Sequence, residues 1–402
     1  MALDMTSFAA AIKEHYTSDM VENMVYQDNP LLAMMSKYEK FGGKNLPIPI
    51  IHGNPQGRSA NFLKAQANKT STVVKDFVLL RAKDYSLASI DNETMEATKG
   101  DANAFLDAAT TEIDGAINSA ARSLAIAMYG SGSGTIGQVD ATTALASSLI
   151  QLKNVEDVTN FEVGMTLAVS ATDGTGSVRS GLLKISGIDR DLGTITTTQV
   201  LNTAIATIAS QDFISVDGDY GQKLKGLAAW LPTTAPAPGD NFFAVDRSAD
   251  ASRLAGIRFD GTNSPIEEVV VKAASRLARE GGKPDYCFMS YSKYAELENA
   301  LGSKIQYIDM KVNAEIAFRG ISINGPKGPI KVIPDQNCPQ NKAYMLQTDV
   351  WKLYSLGKAP KILDTDGLKM LRDSNSDSVE IRVGYYAQIG CRAPGWNAVI
   401  SL

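Results

Sequence analysis

The feature that most constrains this chain is one long helical pattern over residues 101–129. Apolar residues keep a three- or four-residue spacing throughout, from Ala102 and Phe105 to Ala127 and Met128. This spacing predicts a single amphipathic helix. At ~1.5 Å per residue it would be a rod of about 43 Å. Its apolar stripe is rich in alanine, so a neighbouring element can approach it closely, and charged residues on its other faces exclude a membrane span.

A glycine-rich stretch follows this predicted helix. Residues 130–137 read GSGSGTIG and contain the spacing GxGxxG at Gly132, Gly134 and Gly137. In a dinucleotide-binding site this spacing follows a strand and opens a helix. Here it follows a helix, so we interpret it as a helix stop and a flexible turn.

Two segments before the helix are typical of chains that pack on copies of themselves. Residues 1–44 begin with apolar residues at helical spacing, which predicts an arm that packs on its own domain or on a neighbouring subunit. Residues 45–80 hold two extended runs around a mobile loop at residues 52–59, which predicts a long hairpin. A lone hairpin is poorly stable in water, so we expect it to lie on another surface. The residues that we expect to make such contacts are Phe8, Ile12, Tyr16 and Met20 in the arm, and Gln56, Gly57, Arg58 and Phe62 in the hairpin.

The pattern changes again after the helix. Residues 139–222 carry short β-prone runs between frequent turn residues, which predicts a small β-barrel or sandwich. From about residue 246 helical and extended patterns alternate, with a helix at residues 266–280. Near the C-terminus, apolar residues alternate strictly with polar ones such as Gln388, which predicts one long strand over residues 379–391. The sequence therefore predicts an α+β fold.

Chemistry-bearing residues are sparse. The chain has two histidines, His15 and His52, and three cysteines without a CxxC pair. Histidine is the commonest general acid, general base and metal ligand, and no zinc-protease, P-loop or serine-hydrolase motif is present. We predict that the protein is not an enzyme and has no catalytic residues, no cofactor and no metal site. We expect Cys287 and Cys391 to be buried, whereas Cys338 lies in a loop where it could be exposed.

Charge and hydropathy exclude further classes. The formal charge of −5 at pH 7 lacks the basic excess of proteins that coat nucleic acid. No apolar run approaches the ~20 residues that span a bilayer. The first residues also lack the basic start and apolar block of a secretory signal.

Short phrases along the chain complete the pattern. In order, they are Asp28-Asn-Pro-Leu-Leu32, Tyr129-Gly-Ser-Gly-Ser-Gly134, Gly226-Leu-Ala-Ala-Trp-Leu-Pro232, Asp246-Arg-Ser-Ala-Asp250, Arg253-Leu-Ala-Gly256, Glu280-Gly-Gly-Lys-Pro-Asp285 and Arg392-Ala-Pro-Gly395. With the arm, the hairpin, the long helix and the closing strand, they make the chain resemble the major capsid protein of tailed bacteriophages. These proteins have the Hong Kong 97 fold, and the resemblance is to the kind that carries an inserted β-domain.

The resemblance implies a division of the chain. It predicts an N-terminal arm at 1–44, an extended loop at 45–80, a peripheral domain at 81–138 and 223–282 that includes a spine helix at 101–129, an inserted β-barrel-like domain at 139–222, an axial domain at 283–375, and a long C-terminal strand within 376–402 that returns to the core.

The resemblance also implies a function. Such a subunit self-assembles as pentamers and hexamers into an icosahedral shell that encloses double-stranded DNA without sequence-specific binding, and it has no membrane partner. A portal protein at one vertex is an expected partner, with a separate scaffolding protein and a decoration (cement) protein as further candidates. The expected location is the virion capsid, assembled in the cytoplasm of the host bacterium. In some relatives a lysine of the extended loop forms an isopeptide bond to a neighbour, but nothing near Lys64, Lys69 or Lys75 indicates reaction, so we predict no cross-link.

Two alternatives remain at this point. A cellular nanocompartment (encapsulin-like) shell protein has the same fold, but we would expect it to lack the inserted β-domain and to bind cargo peptides. A soluble hydrolase that uses carboxylates would need a pocket with perturbed titrating groups.

Overall fold

The structure, a computed structural model, describes residues 24–91, 102–302, 305–311, 317–364, 371–372 and 376–402. The predicted arm contacts Phe8, Ile12, Tyr16 and Met20 lie outside these residues. The described chain forms two compact units. The first holds the described residues up to Arg81 and those within 85–121 and 230–402, and the second holds residues 82–84 and 122–229.

The helices and strands follow the predicted mixture of both classes. The helices are α1 Pro30–Met34, α2 Phe62–Ala67, α3 Ala102–Tyr129, α4 Leu201–Ala204, α5 Leu227–Trp230, α6 Ala251–Ala255, α7 Ile266–Arg279 and α8 Tyr291–Leu301. The first strands are β1 Ser36–Tyr38, β2 Leu46–Gly53, β3 Val73–Leu79, β4 Ala82–Asp91, β5 Thr135–Gln138, β6 Leu149–Gln151, β7 Thr166–Ser170, β8 Leu183–Asp189, β9 Thr194–Thr197 and β10 Phe213–Val216. The later strands are β11 Asn241–Phe242, β12 Val245–Asp246, β13 Ile257–Asp260, β14 Tyr286–Met289, β15 Tyr307–Lys311, β16 Ala317–Gly325, β17 Gly328–Pro334, β18 Lys342–Leu346, β19 Trp351–Ser355, β20 Lys361–Ile362, β21 Leu371–Arg372, β22 Ser378–Cys391 and β23 Ala398–Ser401. The predicted α+β class is confirmed.

The long helix α3 has 28 residues and confirms the strongest sequence pattern. Its stripe members Ile113, Ile117, Leu124 and Met128 are fully buried. After α3 the chain runs through the glycine-rich loop into a strand, β5, and not into a helix. That order is the reverse of a dinucleotide-binding fingerprint. The glycines instead allow the backbone turn, since Gly132 and Gly134 have positive φ angles.

Strands β5 to β10 form a six-stranded sheet in the second unit, in the order β5-β10-β7-β8-β9-β6. An antiparallel bridge between Val139 and Leu152 joins the two ends of this order. Backbone hydrogen bonds from Asp140 N to Gln151 O (2.8 Å) and from Lys153 N to Gln138 O (2.9 Å) lie on either side of the bridge. The sheet therefore closes on itself, which leaves it without a free edge. Its interior holds the apolar side chains of the β-prone runs.

The segment that contains the barrel begins and ends at one point of the second unit. Gly226 N donates a hydrogen bond to Gly130 O, at 3.0 Å. A Cβ on Gly226 would lie 2.2 Å from the carbonyl oxygen of Met128, so only glycine fits this close approach. The assignment of residues 139–222 to an inserted domain stays a prediction.

The long C-terminal strand organises one sheet of the first unit. β22 has 14 residues and pairs with β19, β20, β21 and β4, while β1 lies parallel to β19. The apolar members of its predicted alternation are at most 1% exposed. Gln388 was expected on a polar face but is buried, because its Nε2 donates a hydrogen bond to Leu80 O, at 3.2 Å.

A seven-stranded sheet in the order β13-β23-β18-β14-β17-β16-β15 forms the other part of the first unit. Helix α7 packs its buried face, Val269, Val270, Ala273, Ala274 and Leu277, into the same core as these strands. This core includes residues on both sides of the boundary predicted between residues 282 and 283. The division into peripheral and axial domains stays a prediction.

The described part of the predicted arm packs on its own chain. Pro30 starts the short helix α1, whose Leu31 and Leu32 are buried. Leu31 N donates to the Oδ2 atom of the buried Asp335 at 3.4 Å, and β1 pairs with β19. This part of the arm is therefore held on its own subunit.

Candidate assembly surface

The predicted hairpin is present and has a buried inner face. β2 and β3 pair in antiparallel register from Leu46 opposite Leu79 to Gly53 opposite Val73. The prolines of β2 are tolerated because this sheet has two strands only, so both are edge strands. Ile48, Phe77 and Leu79 on the inner face are at most 3% exposed.

The inner face rests on the long strand β22. A Cβ on Gly390 would lie 2.6 Å from Cδ1 of Ile48 and 2.8 Å from Cδ1 of Leu79. Glycine at this position therefore lets the hairpin approach the strand closely. Farther along β2, a hydrogen bond from Arg253 Nη1 to His52 O, at 2.9 Å, also holds the hairpin.

The outer part of the hairpin is largely exposed to solvent. Ile51 and Val74 lie opposite each other in the register and are 62% and 49% exposed. Residues 54–64 are all exposed, including the predicted contacts Gln56, Gly57 and Arg58. The hairpin thus changes along its length from a buried base to an exposed apolar end.

The structure adds a helix that the sequence reading missed. Helix α2 occupies part of the polar middle, and Asn61 caps it by accepting a hydrogen bond from Lys64 N. The helix buries none of its residues, and Phe62 and Leu63 are 78% and 72% exposed. The Asn cap one residue before Phe62 is the sequence signal that could have located the helix. The helix presents two large apolar side chains together to solvent.

The end of the hairpin carries one sign of charge. Residues 54–72 contain Arg58, Lys64 and Lys69 and no acidic residue. These lysines, with Lys75, are exposed. The formal charge of the whole chain is −5. The end of the hairpin is therefore both cationic and apolar.

The cysteines give no reactive thiol. Cys338 was expected in an accessible loop, but it is buried, with its Sγ 3.5 Å from Lys342 O and 3.7 Å from Phe288 O. Burial raises the pKa of Cys287 to about 12 and that of Cys338 well above its usual value. Burial likewise raises the pKa of Cys391. These thiols behave as small apolar groups.

A cavity of about 250 Å³ lies beside the hairpin, lined by Ile51, Arg253, Glu280, Arg392 and Trp396 among others. The carboxylate of Glu280 pairs with Arg276 at 2.7 Å, so it is held as an ion-pair partner and not as a free acid or base. Across the described residues, no three histidine, cysteine or acidic side chains are grouped as a metal site. Nor does any helix in that part of the chain have the length and apolarity to cross a membrane.

Comparison with known proteins gives one family model that matches part of the chain. Residues 202–376 match the family model of the SU10 major capsid protein. The matched region begins near the end of the barrel and includes most strands of the seven-stranded sheet. No curated protein sequence matches the chain.

Several solved structures have a similar fold at low sequence identity. The capsid asymmetric unit of cyanophage A-1(L) is 13% identical, with 96% of this chain and 94% of that chain covered and a TM-score of 0.49. A structure from Mycobacterium phage Cain is 12% identical, with coverage of 100% and 98% and a TM-score of 0.41. The SrpI encapsulin of Synechococcus elongatus PCC 7942 is 9% identical, with coverage of 100% and 96% and a TM-score of 0.43. Each TM-score lies below 0.5, so these likenesses carry no argument about function.

The family match agrees with the order of elements in the chain. A hairpin, a long helix, a closed β-barrel, a mixed sheet and a closing strand follow one another as expected for a Hong Kong 97-type subunit. Over residues 202–376 the chain is thus similar to the SU10 major capsid protein, and its order of elements is that of the Hong Kong 97 fold.

Proposed function

We propose that this chain self-assembles as pentamers and hexamers into the icosahedral shell of a tailed bacteriophage with double-stranded DNA. The observation that carries the proposal is the outer half of the hairpin. It projects from a buried base and ends in the exposed side chains of Phe62 and Leu63. A projection of this kind gains stability when a neighbouring subunit covers it.

The energetics of the hairpin suit reversible assembly. Full burial of a Phe or Leu side chain contributes roughly 1.5–3 kcal/mol. A few such contacts at each interface stay weak enough to break when a subunit is misplaced, whereas their repetition around a closed shell makes the whole stable. We assign the contacts to Gln56, Gly57, Arg58 and Phe62, and to the predicted arm.

The remaining functional assignments follow from this role. A shell of acidic subunits would enclose DNA without binding its sequence, because a negative wall does not adhere to phosphates. Its partners would be a portal protein at one vertex and, as candidates, a scaffolding and a decoration protein. Assembly would take place in the bacterial cytoplasm, with no catalytic role and no cross-link through Lys64, Lys69 or Lys75.

Electron microscopy with sedimentation velocity tests the proposal. Purified wild-type protein should form closed isometric shells, or rings of five and six subunits. A variant in which residues 54–72 are replaced by Asn-Gly, a two-residue hairpin turn, should stay folded by circular dichroism and fail to assemble. Shells from the shortened variant would contradict the hairpin as the intersubunit clamp. A wild-type protein that stays a small oligomer at high concentration and under crowding would contradict unaided self-assembly.

The nanocompartment alternative is tested on the same particles. Shells isolated from cells that carry the complete phage genome should contain DNA protected from nuclease. Shells filled with a single protein cargo and no DNA would favour a cellular compartment instead.

A further inference from the structure

A shielded cluster of three charged side chains and one hydroxyl lies in the second unit. Lys223 Nζ is 2.7 Å from Oδ2 of Asp84 and 3.0 Å from Oδ2 of Asp219. Ser123 Oγ donates a hydrogen bond to the same Oδ2 of Asp84 at 2.6 Å, and it accepts one from Lys223 Nζ at 2.8 Å. One amine therefore touches two carboxyl groups, and one of these is also held by a hydroxyl.

This cluster is more shielded from solvent than the surface ion pairs of the chain. The side chains of Lys223, Asp84 and Asp219 are 10%, 13% and 23% exposed. In the pairs Lys272–Glu268 and Lys293–Glu296, by contrast, the carboxylate is 53% and 54% exposed. Water screens an exposed pair and solvates its ions, whereas a shielded pair is held in one geometry with little water to compete.

We propose that Lys223 and Asp84 condense to form an intrachain isopeptide bond, with Asp219 as the proton carrier. Contact between Nζ and the carboxyl group places the two reacting groups at the distance that makes intramolecular reactions efficient. Burial raises the pKa of Asp219, so this carboxyl takes up a proton more readily than a free aspartate does. The three functions that amide formation needs are a nucleophile, an electrophile and a proton carrier, and the nucleophile Lys223 contacts both of the other two.

The reaction balances without any other reactant. The ammonium of Lys223 and the carboxylate of Asp84 are together neutral. One proton moves from Nζ to the Asp84 carboxyl, which gives an amine beside a carboxylic acid. Nζ forms a bond to Cγ, Asp219 accepts the second proton from Nζ and delivers it to Oδ2, and the Cγ–Oδ2 bond breaks. Oδ2 leaves as water, and an amide with one N–H remains. The hydroxyl of Ser123, which donates to Oδ2, holds the carboxyl group of Asp84 in position before attack.

The bond would join two points separated by 139 residues of chain. The enclosed segment contains α3 and the whole barrel. A covalent link across so long a loop restricts the unfolded chain more than a short one does. The bond would therefore hold the entrance and the exit of this segment together.

Intact mass under denaturing conditions tests the proposal on the full-length wild-type protein. Its mass should fall short of the sequence mass by one water molecule. Trypsin cannot cleave after a lysine whose Nζ is in an amide, so digestion should release residues 191–225 with an uncut Lys223, joined to the peptide that contains Asp84. A wild-type protein with the full sequence mass overturns the proposal without reference to any variant.

Two variants locate the chemistry. Lys223→Arg keeps the positive charge and lacks the nucleophile, and Asp219→Asn keeps both bonding partners and lacks the proton carrier. Both should have the full mass of their own sequences. Loss of water from the Asp84 peptide alone, without an attached second peptide, would indicate cyclisation of an aspartate and would overturn the proposal. If Asp219→Asn still forms the Lys223–Asp84 amide to the wild-type extent, Asp219 is not the proton carrier.

Discussion

The indole Nε1 of Trp230 donates a hydrogen bond to the backbone carbonyl of Ile389, at 3.2 Å, across 159 residues of sequence. The same indole packs edge-on against Phe77 of the hairpin, with ring centroids 4.9 Å apart. Trp230 thus ties the base of the hairpin to the long strand β22. A firmly held base leaves less freedom for the exposed end to lose when a neighbour binds it.

Replacement of Trp230 tests this anchoring role. Trp230 is fully buried, so Trp230→Ala removes a large aromatic side chain and leaves a cavity. We expect the free energy of unfolding to fall by about 3–5 kcal/mol. Urea denaturation of the unassembled subunit, followed by circular dichroism, measures the change. Trp396→Ala is the matched control. Because Trp396 is 40% exposed, its replacement should lower the free energy of unfolding much less. Equal losses in the two variants would contradict the anchor.

The exposed end of the hairpin is tested by Phe62→Ser. Because Phe62 buries almost nothing in the subunit, the subunit Tm should not change. Assembly should weaken, since each lost apolar contact of roughly 1.5–3 kcal/mol lowers an association constant by about one to two orders of magnitude. Leu192→Ser is the control, as Leu192 is 64% exposed on the barrel unit. Sedimentation velocity should show fewer shells for Phe62→Ser only, and a similar loss in both would argue against a hairpin-specific contact.

The glycine-rich loop after α3 gives a third prediction. Gly134 has φ +76°, and a Cβ there would lie 2.3 Å from the carbonyl oxygen of Asp219. Gly134→Ala should therefore combine backbone strain of about 1–2 kcal/mol with a steric clash. Gly164→Ala isolates the strain, because Gly164 has φ +93° and open space around it. Calorimetry should show a larger drop in Tm for Gly134→Ala than for Gly164→Ala. Equal drops would mean that small shifts of the neighbouring atoms remove the clash at no measurable loss of stability.

Asp157 gives a dependence of stability on pH. Burial raises its pKa from 3.8 to about 6, although Asn154 Nδ2 donates a hydrogen bond to it at 3.1 Å. The folded state therefore holds a proton that the unfolded state has released, and the stability from this group is lost as pH rises from about 4 through 6. Asp157→Asn should remove this slope and raise the unfolding free energy above pH 6 by about 1–3 kcal/mol.

Asp140, whose pKa is shifted in the opposite direction, is the control for Asp157. Hydrogen bonds from the side chain and backbone of Thr142 lower the pKa of Asp140. Asp140 therefore contributes stability above its unfolded pKa, and that contribution is lost as pH falls. Thermal melts at pH 4 and pH 7 should show Asp157→Asn gaining and Asp140→Asn losing stability at the higher pH. A gain at pH 7 in both variants would contradict the burial of Asp157 as the cause.

Local periodicity was enough to predict the main elements. The spacing of the apolar residues in α3 and the alternation in β22 each extend over so many residues that no other conformation buries them. The prolines of β2 similarly allowed only an extended edge strand. These predictions succeeded because each depends on residues that are close together in the sequence.

The features that the sequence did not predict depend on contacts between residues that are far apart in the sequence. Neither Val139 nor Leu152 indicates by itself that the two will bridge and close a barrel. Gln388 follows the polar side of its strand, and only the position of Leu80 O explains its burial. The contact of Lys223 with Asp84 spans 139 residues, so no local pattern could reveal it. The exposed Phe62 was predicted as a contact, but the helix that presents it was missed because it is a single short segment with one capping signal.

The hydrogen bond between Gly226 and Gly130 has a consequence for how such chains diversify. A segment whose two ends meet at one point leaves the same short gap in the parent chain whatever its own length or shape. It can be gained, lost or exchanged in one genetic event, and the residues on either side keep their path.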